Sequence, residues 1–77
     1  MNKIKLGVYR HFKGNHYRVE SVATHTETGE YLVIYRCLEG VNVDKVFARP
    51  LEMFLSKVDK TKYPDVKQEY RLEFVCF

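Results

Sequence analysis

The chain has 77 residues, of which 45% are hydrophobic, and its aromatic residues are six Tyr and five Phe. That length is too short for two hydrophobic cores and sufficient for one, so we expect a single domain over residues 1–77 and exclude a disordered segment. The net charge is +3, and the thirteen basic and ten acidic residues are interspersed, which is typical of an ordinary solubilising surface. One stretch, residues 56–67, is richer in lysine than the rest: it holds Lys57, Lys60, Lys62 and Lys67.

The sequence contains no sign of export or membrane insertion. Its first residues lack the apolar stretch of a signal peptide, and no apolar run approaches the roughly 18 residues of a membrane span. Cys37 and Cys76 lack the short spacing of a metal knuckle or a redox pair, so we expect two free thiols. A cytoplasmic location is the expectation.

The first half of the chain predicts a β-hairpin. Residues 6–13 alternate imperfectly between two faces that both carry aromatic side chains. Gly14 and Asn15 supply the positive-φ residues of a tight turn, and a second strand follows over residues 16–24. The apolar phase of this strand changes near residues 20–21, which predicts a bulge there.

The second half predicts three more strands and one helical turn. A polar turn leads into residues 31–38, whose nearly continuous β-branched and aromatic content predicts a central strand. A short strand at 45–49 precedes Pro50, after which residues 51–55 show the spacing of one or two helical turns. Residues 69–75 alternate cleanly, so we expect a closing strand.

Five short strands with one short helical turn before the last strand form the layout of an SH3-like barrel. A barrel of the oligonucleotide-binding type is the alternative, but it usually has a longer helix between its third and fourth strands, where this sequence has none. We therefore expect an all-β fold, a small five-stranded SH3-like barrel. That fold class hosts many unrelated functions, so it implies no particular activity.

Three blocks of residues resemble a known family. They are G-x-Y-x-H-F-K-G at residues 7–14, H-x-E-T at residues 25–28 and R-P-L-x-M-F at residues 49–54. In this order they are similar to DUF1653, a small bacterial family of unknown function, and the likeness covers residues 6–58. Residues 59–77, the connection and the closing strand, follow the family pattern loosely. The resemblance implies a shared fold and supplies no activity, substrate or catalytic residue.

No pattern in the sequence predicts catalysis or a metal site. His11, His16 and His25 lack the tight ligand pair of a zinc site, although His11 and His25 would be neighbours if the first two strands pair. Cys37 lies in a core strand and Ser21 at a bend, so neither is a candidate nucleophile with an oriented base. We expect no cofactor, no metal and no enzymatic activity.

A binding surface is the more interesting prediction. Tyr9, His11, Tyr35 and Arg49 lie on strands, and if they share a face they form an aromatic and basic surface that can stack on bases or on a peptide. The alternative is that the aromatic rings are core and that Arg49 pairs with Glu27 or Glu52. With an anion-binding hairpin tip and a histidine in the second turn included, the candidate ligand-binding residues are Tyr9, His11, Lys13, His25, Tyr35 and Arg49.

The leading functional hypothesis is a non-catalytic binding module. Its ligand is either single-stranded nucleic acid, which predicts binding that weakens steeply with salt, or a peptide of a protein partner, which does not. An alternative is a small-molecule-binding or enzymatic domain that uses His11 and His25. A second alternative is a structural homodimer, suggested by the apolar segment at residues 74–77.

Overall fold

The computed structural model describes residues 4–77. It contains five strands and one short helix: β1 Gly7–His11, β2 His16–Thr24, β3 Tyr31–Cys37, β4 Val46–Pro50, α1 Leu51–Phe54 and β5 Leu72–Cys76. The all-β fold with one helical turn before the last strand is therefore confirmed.

The five strands form one antiparallel sheet in the order β4-β3-β2-β1-β5. The prediction of a closed barrel is wrong, because β4 and β5 are the two edges of this sheet and no strand pairing joins them within residues 4–77. The expectation was right on the number and sequence of the strands and wrong on closure.

The chain between β4 and β5 forms a hydrogen-bonded connection. Helix α1 begins directly after Pro50, the last residue of β4. The segment after α1 then pairs with the residues before β5: the Val58 amide donates to the Glu69 carbonyl at 2.9 Å, and the Arg71 amide donates to the Ser56 carbonyl at 3.0 Å. These hydrogen bonds satisfy backbone groups of the connection outside the five strands.

The hairpin turn and the bulge are where the sequence predicts them. Gly14 adopts a φ of +111°, and its amide donates to the His11 carbonyl at 2.8 Å. This conformation is available to glycine at little cost. The β2–β3 register shifts between Val19 and Ser21, which confirms the predicted bulge. Because a bulge bends its strand, the nine-residue β2 can curl around the core.

The core lies on the inner face of the curved sheet and is closed by α1. Phe54 is fully buried, with ring centroids 5.3 Å from Tyr9 and 5.6 Å from Tyr35 in edge-to-face contacts. Val19 and Leu72 complete this cluster from β2 and β5. Tyr9 and Tyr35 are therefore packing residues.

The structure also describes the two cysteines and bears on metal binding and membrane-spanning helices. Cys37 is buried, Cys76 is exposed, and both are free thiols, as expected. No group of three or more His, Cys, Asp or Glu side chains in residues 4–77 is placed to hold a metal ion. The described part of the chain also has no helix with the length and apolarity to cross a membrane.

Candidate functional site

A cleft of about 370 Å³ opens where the β1–β2 hairpin, the end of β4 and the connection between α1 and β5 meet. Five of its nine lining residues are Lys or Arg and one is acidic. We call it the cationic cleft, and its lining residues are His11, Phe12, Lys13, Arg49, Lys57, Asp59, Lys62, Tyr63 and Arg71. Its volume is within the range of small-ligand sites.

Arg71 is held in the cationic cleft by its backbone. Its amide donates to the Ser56 carbonyl at 3.0 Å, and its carbonyl accepts from the Phe12 amide at 2.9 Å. The side-chain Nε is buried and has no hydrogen-bond partner among the described residues. An unsatisfied buried donor costs about 1–3 kcal/mol. Arg71 also lines the cleft, and no carboxylate of the described residues lies within 4.0 Å of its guanidinium.

Arg49 brings a second unpaired guanidinium to the cationic cleft. It lies near the end of β4, and its guanidinium carbon is 5.9 Å from the centre of the Tyr35 ring. No carboxylate of the described residues lies within 4.0 Å of it, so the predicted pairing with Glu27 or Glu52 is absent. Arg49 is therefore free to bind an external anion.

Two lysines are positioned at the cleft by an aromatic pair. The rings of Phe12 and Tyr63 meet edge-to-face with centroids 5.0 Å apart. The Lys13 and Lys62 ammonium groups each lie 5.5 Å from the centre of the Tyr63 ring. Burial acts to raise the pKa of the Tyr63 phenol, but the two neighbouring ammonium groups outweigh it and the pKa is lowered. The rings thus hold cations beside the cleft.

Asp59, the one carboxylate of the cationic cleft, is occupied by a local turn. Its Oδ1 accepts hydrogen bonds from the Thr61 hydroxyl at 2.6 Å and the Thr61 amide at 3.0 Å. These hydrogen bonds lower the pKa of Asp59, so it is ionised at neutral pH. The Asp59 carbonyl accepts from the Lys62 amide at 3.2 Å, so the same turn presents Lys62 to the cleft.

His11 is neutral at physiological pH, because burial and the surrounding positive charges lower its pKa. Burial lowers its pKa to about 4, with further contributions from Arg49, Arg71 and Lys13. Its Nδ1 accepts the Lys13 amide at 3.1 Å, so the neutral ring carries its proton on Nε2. His11 therefore adds an uncharged hydrogen-bond donor to the cleft lining.

The structure brings three of the six predicted binding residues together. His11, Lys13 and Arg49 all line the cationic cleft. Tyr9 and Tyr35 are only 6% and 5% exposed, so the predicted stacking surface is wrong in these two residues. Burial raises the pKa of both phenols. Alternation places these rings on one face of the sheet, and that face is the core.

His25 lies outside the cationic cleft. It follows Thr24, the last residue of β2, whereas His11 ends β1 at the opposite, hairpin end of the β1–β2 pair. The His25 Nδ1 accepts the amides of Glu27 at 3.1 Å and Thr28 at 3.4 Å. The sequence placed His11 and His25 as possible neighbours, and the register does not bring them together.

Sequence reasoning missed several lining residues of the cationic cleft. Arg71, Phe12 and Tyr63 were not singled out for binding, because each reaches the cleft through contacts between segments that are distant in sequence. Lys57 and Lys62 had a signal, since both belong to the lysine-rich stretch 56–67.

The protein is a small all-β domain with the cationic cleft at one end of its sheet. The chain belongs to the DUF1653 family: the model of that family, described as "Protein of unknown function (DUF1653)", matches residues 7–74. The resemblance seen in the sequence is thereby confirmed, and the match covers the three blocks and extends into β5 as far as residue 74.

A solved structure agrees with this assignment. The crystal structure of a DUF1653 protein from Bordetella bronchiseptica is similar to this chain with a TM-score of 0.80 and 30% sequence identity, covering 95% of this chain and 88% of that one. No curated protein matches the chain. The comparisons therefore establish the family and the fold and bring no activity with them.

Proposed function

We propose that this domain is a non-catalytic binding module that holds the phosphate groups of a single-stranded nucleic acid in the cationic cleft. The observation that carries the proposal is the charge of the cleft: five Lys or Arg side chains line it with one carboxylate, Asp59, whose Oδ1 accepts from Thr61. Of the five cations, Lys57 pairs with Glu69 at 3.3 Å. Phosphates are the usual partners of such a cluster, because guanidinium groups match their geometry and ammonium groups their charge.

The hydrogen-bonding state of the two arginines supports an external anion. Arg49 has no carboxylate within 4.0 Å among the described residues, and the buried Arg71 Nε lacks an acceptor. Two surface arginines outside the cleft have carboxylate partners: Arg36 donates to Glu20 at 2.8 Å, and Arg10 lies 3.7 Å from Glu73. A ligand phosphate would give the cleft arginines equivalent partners.

The cleft favours contacts to the phosphate backbone over contacts to bases. The faces of the Phe12 and Tyr63 rings are already taken up by His11 and by two ammonium groups. Bases therefore have little free aromatic surface to stack on, and phosphate contacts carry little sequence information. We expect weak base preference and strong salt dependence.

The same residues argue against catalysis. The cleft lining contains no Ser, Thr or Cys, so it offers no aliphatic hydroxyl or thiol nucleophile, and the Tyr63 phenol is its one hydroxyl group. The Nδ1 atom of His11 is occupied by the Lys13 amide, and the Asp59 carboxylate by Thr61. A cytoplasmic location is part of the proposal, since free thiols are typical of reducing compartments.

A salt-dependent titration with short single-stranded DNA and RNA tests the proposal. We expect the logarithm of the binding constant to fall with the logarithm of salt concentration by about 0.7 per phosphate neutralised. Arg49→Ala should weaken binding and flatten this slope. Arg36→Ala is the matched control, because Arg36 pairs with Glu20 and does not line the cleft. No binding by the wild type, or equal losses in the two variants, would refute the proposal.

A second candidate function is homodimerisation through β5. This strand is an edge of the sheet, and Val75 and Phe77 are 49% and 80% exposed. Exposed apolar edge strands tend to pair with another chain. Sedimentation analysis tests this candidate: Val75→Lys should convert a dimer to a monomer, and a wild type that stays monomeric at high concentration would exclude it.

A further inference from the structure

We propose that the cationic cleft recognises a terminal phosphomonoester of a nucleic-acid strand in preference to the phosphodiesters within it. The inference rests on the proposed function and names the chemical group that the site selects. It is drawn from the charge of the cleft, from the donors that converge on it and from the contact between its two walls.

The charge of the cleft exceeds what one internal phosphate needs. Five cationic residues line the hollow, but Lys57 pairs with Glu69 at 3.3 Å and Asp59 is ionised, so an excess of three positive charges remains. An internal phosphodiester carries one negative charge, whereas a phosphomonoester carries about −1.5 to −2 at neutral pH. A terminal phosphate therefore offsets more of the repulsion among the cleft cations.

The donors of the cleft also suit a terminal phosphate. Arg71 before β5, Arg49 in β4 and His11 at the end of β1 reach the hollow from three different elements. A monoester presents three terminal oxygens as acceptors, while a diester within a strand presents two. A group with three free oxygens can accept from three separate elements at once, and the Arg71 guanidinium has no carboxylate within 4.0 Å among the described residues.

The contact between the two walls of the cationic cleft favours the end of a nucleic-acid strand over an internal segment of the strand. Phe12 from the hairpin and Tyr63 from the connection touch with centroids 5.0 Å apart, and so join the two walls on one side of the cleft. The Phe12 amide also donates to the Arg71 carbonyl at 2.9 Å, which anchors that wall. A strand threaded between the two walls at this contact would have to separate Phe12 from Tyr63, whereas a strand end can enter the cleft with the contact intact.

The second ionisation of a phosphomonoester can be tested by varying the pH, because His11 and Asp59 keep their charge state in that pH range. The charged and titratable groups that face the hollow are His11 and Lys13 from the hairpin, Arg49 from β4, Lys57, Asp59, Lys62 and Tyr63 from the connection, and Arg71 before β5. Burial lowers the pKa of His11 to about 4, and the hydrogen bonds from Thr61 keep Asp59 ionised. A monoester gains its second charge near pH ~6, whereas a diester does not titrate there.

The experiment compares one oligonucleotide sequence in three forms: with a 5′-phosphate, with a 3′-phosphate and with hydroxyl groups at both ends. We expect a phosphorylated form to bind at least about tenfold tighter at pH 7.5, a difference of about 1.4 kcal/mol. The ratio should shrink as the pH falls to 5. The two phosphorylated forms show which end of the strand is read.

The variants separate this inference from the proposed function. Arg71→Met and, independently, Arg49→Ala should abolish the preference for the phosphorylated end, while Arg36→Ala should keep it. Equal, salt-sensitive binding of all three oligonucleotides would overturn end recognition and leave the proposed function intact. No binding of any form would overturn both.

Discussion

Replacing Arg71 with methionine should stabilise the unliganded protein. The Arg71 Nε is buried without a hydrogen-bond partner, and its charge lies near those of Arg49 and Lys13 around His11. Methionine retains a long apolar side chain while it removes both the unsatisfied donor and the charge. Residues of a binding site often lower the stability of the unliganded protein, so a gain in stability on replacing Arg71 is expected if Arg71 serves binding.

The size of the effect follows from the cost of the unsatisfied donor. That cost is about 1–3 kcal/mol, and part of it is lost again in packing the new side chain, so we expect a net gain of about 1 kcal/mol. For a domain of this length, this gain raises Tm by about 4–8 °C. The urea midpoint should rise by about 1 M if the slope is about 1 kcal/mol per molar.

Urea unfolding of the wild type and of Arg71→Met, in low and in high salt, measures this effect. Arg36→Met is the control, since Arg36 donates to Glu20 at 2.8 Å and to the Asp44 carbonyl at 3.1 Å. The control should be neutral or lose up to about 1 kcal/mol. If Arg71→Met loses as much stability as the control or more, the reasoning about the unpaired guanidinium is wrong.

Three further predictions test the rest of the account. The His11 pKa of about 4 in the folded protein lies below its value of about 6.5 in the unfolded chain. Between these two pH values the unfolded chain binds more protons than the folded protein. The free energy of unfolding therefore decreases as the pH falls from about 6.5 to 4. Stability curves should therefore be flatter for His11→Gln over that range, by about 1–2 kcal/mol after allowance for screening, and equal slopes would contradict the pKa. Phe54→Ala should lose about 3–5 kcal/mol by calorimetry, because the ring is fully buried, and a loss under 1 kcal/mol would show that α1 does not close the core. Gly7→Ala should lose more stability in urea than Gly14→Ala: a Cβ at Gly7 would lie 2.7 Å from the Cys76 carbonyl oxygen, whereas Gly14 has nothing within 4 Å, and equal losses would argue against the β1–β5 contact.

The local features of the fold were predictable from the sequence because their signals are local. The Gly14 turn, the bulge before Ser21 and the helical turn after Pro50 each follow from residue types within a few positions. The open edge between β4 and β5 was not predictable in this way. Whether two edge strands meet is decided by the path of the chain between them. In that connection the Val58 amide bonds to Glu69 and the Arg71 amide to Ser56, and residues 56–58 have no strand pattern that would predict this pairing.

In the candidate site, too, some residues had a local sequence signal and others did not. Alternation placed Tyr9 and Tyr35 on sheet faces, but it cannot say which face is buried, and both rings were needed to surround Phe54. The charge of Arg49 and the lysine-rich stretch pointed toward the end of the molecule where the cationic cleft lies. Arg71 gave no signal, since an arginine in an alternating strand is ordinarily a solvent-exposed residue.

The most direct test of the central claim is to follow the Arg71 Nε–H resonance by NMR while a short 5′-phosphorylated single-stranded oligonucleotide is added. The account predicts a shift of this signal as the Arg71 guanidinium binds a phosphate, together with shifts at His11 and Lys13. An unchanged Arg71 signal while the oligonucleotide binds elsewhere, or in the absence of any binding, would contradict the cationic cleft as the functional site.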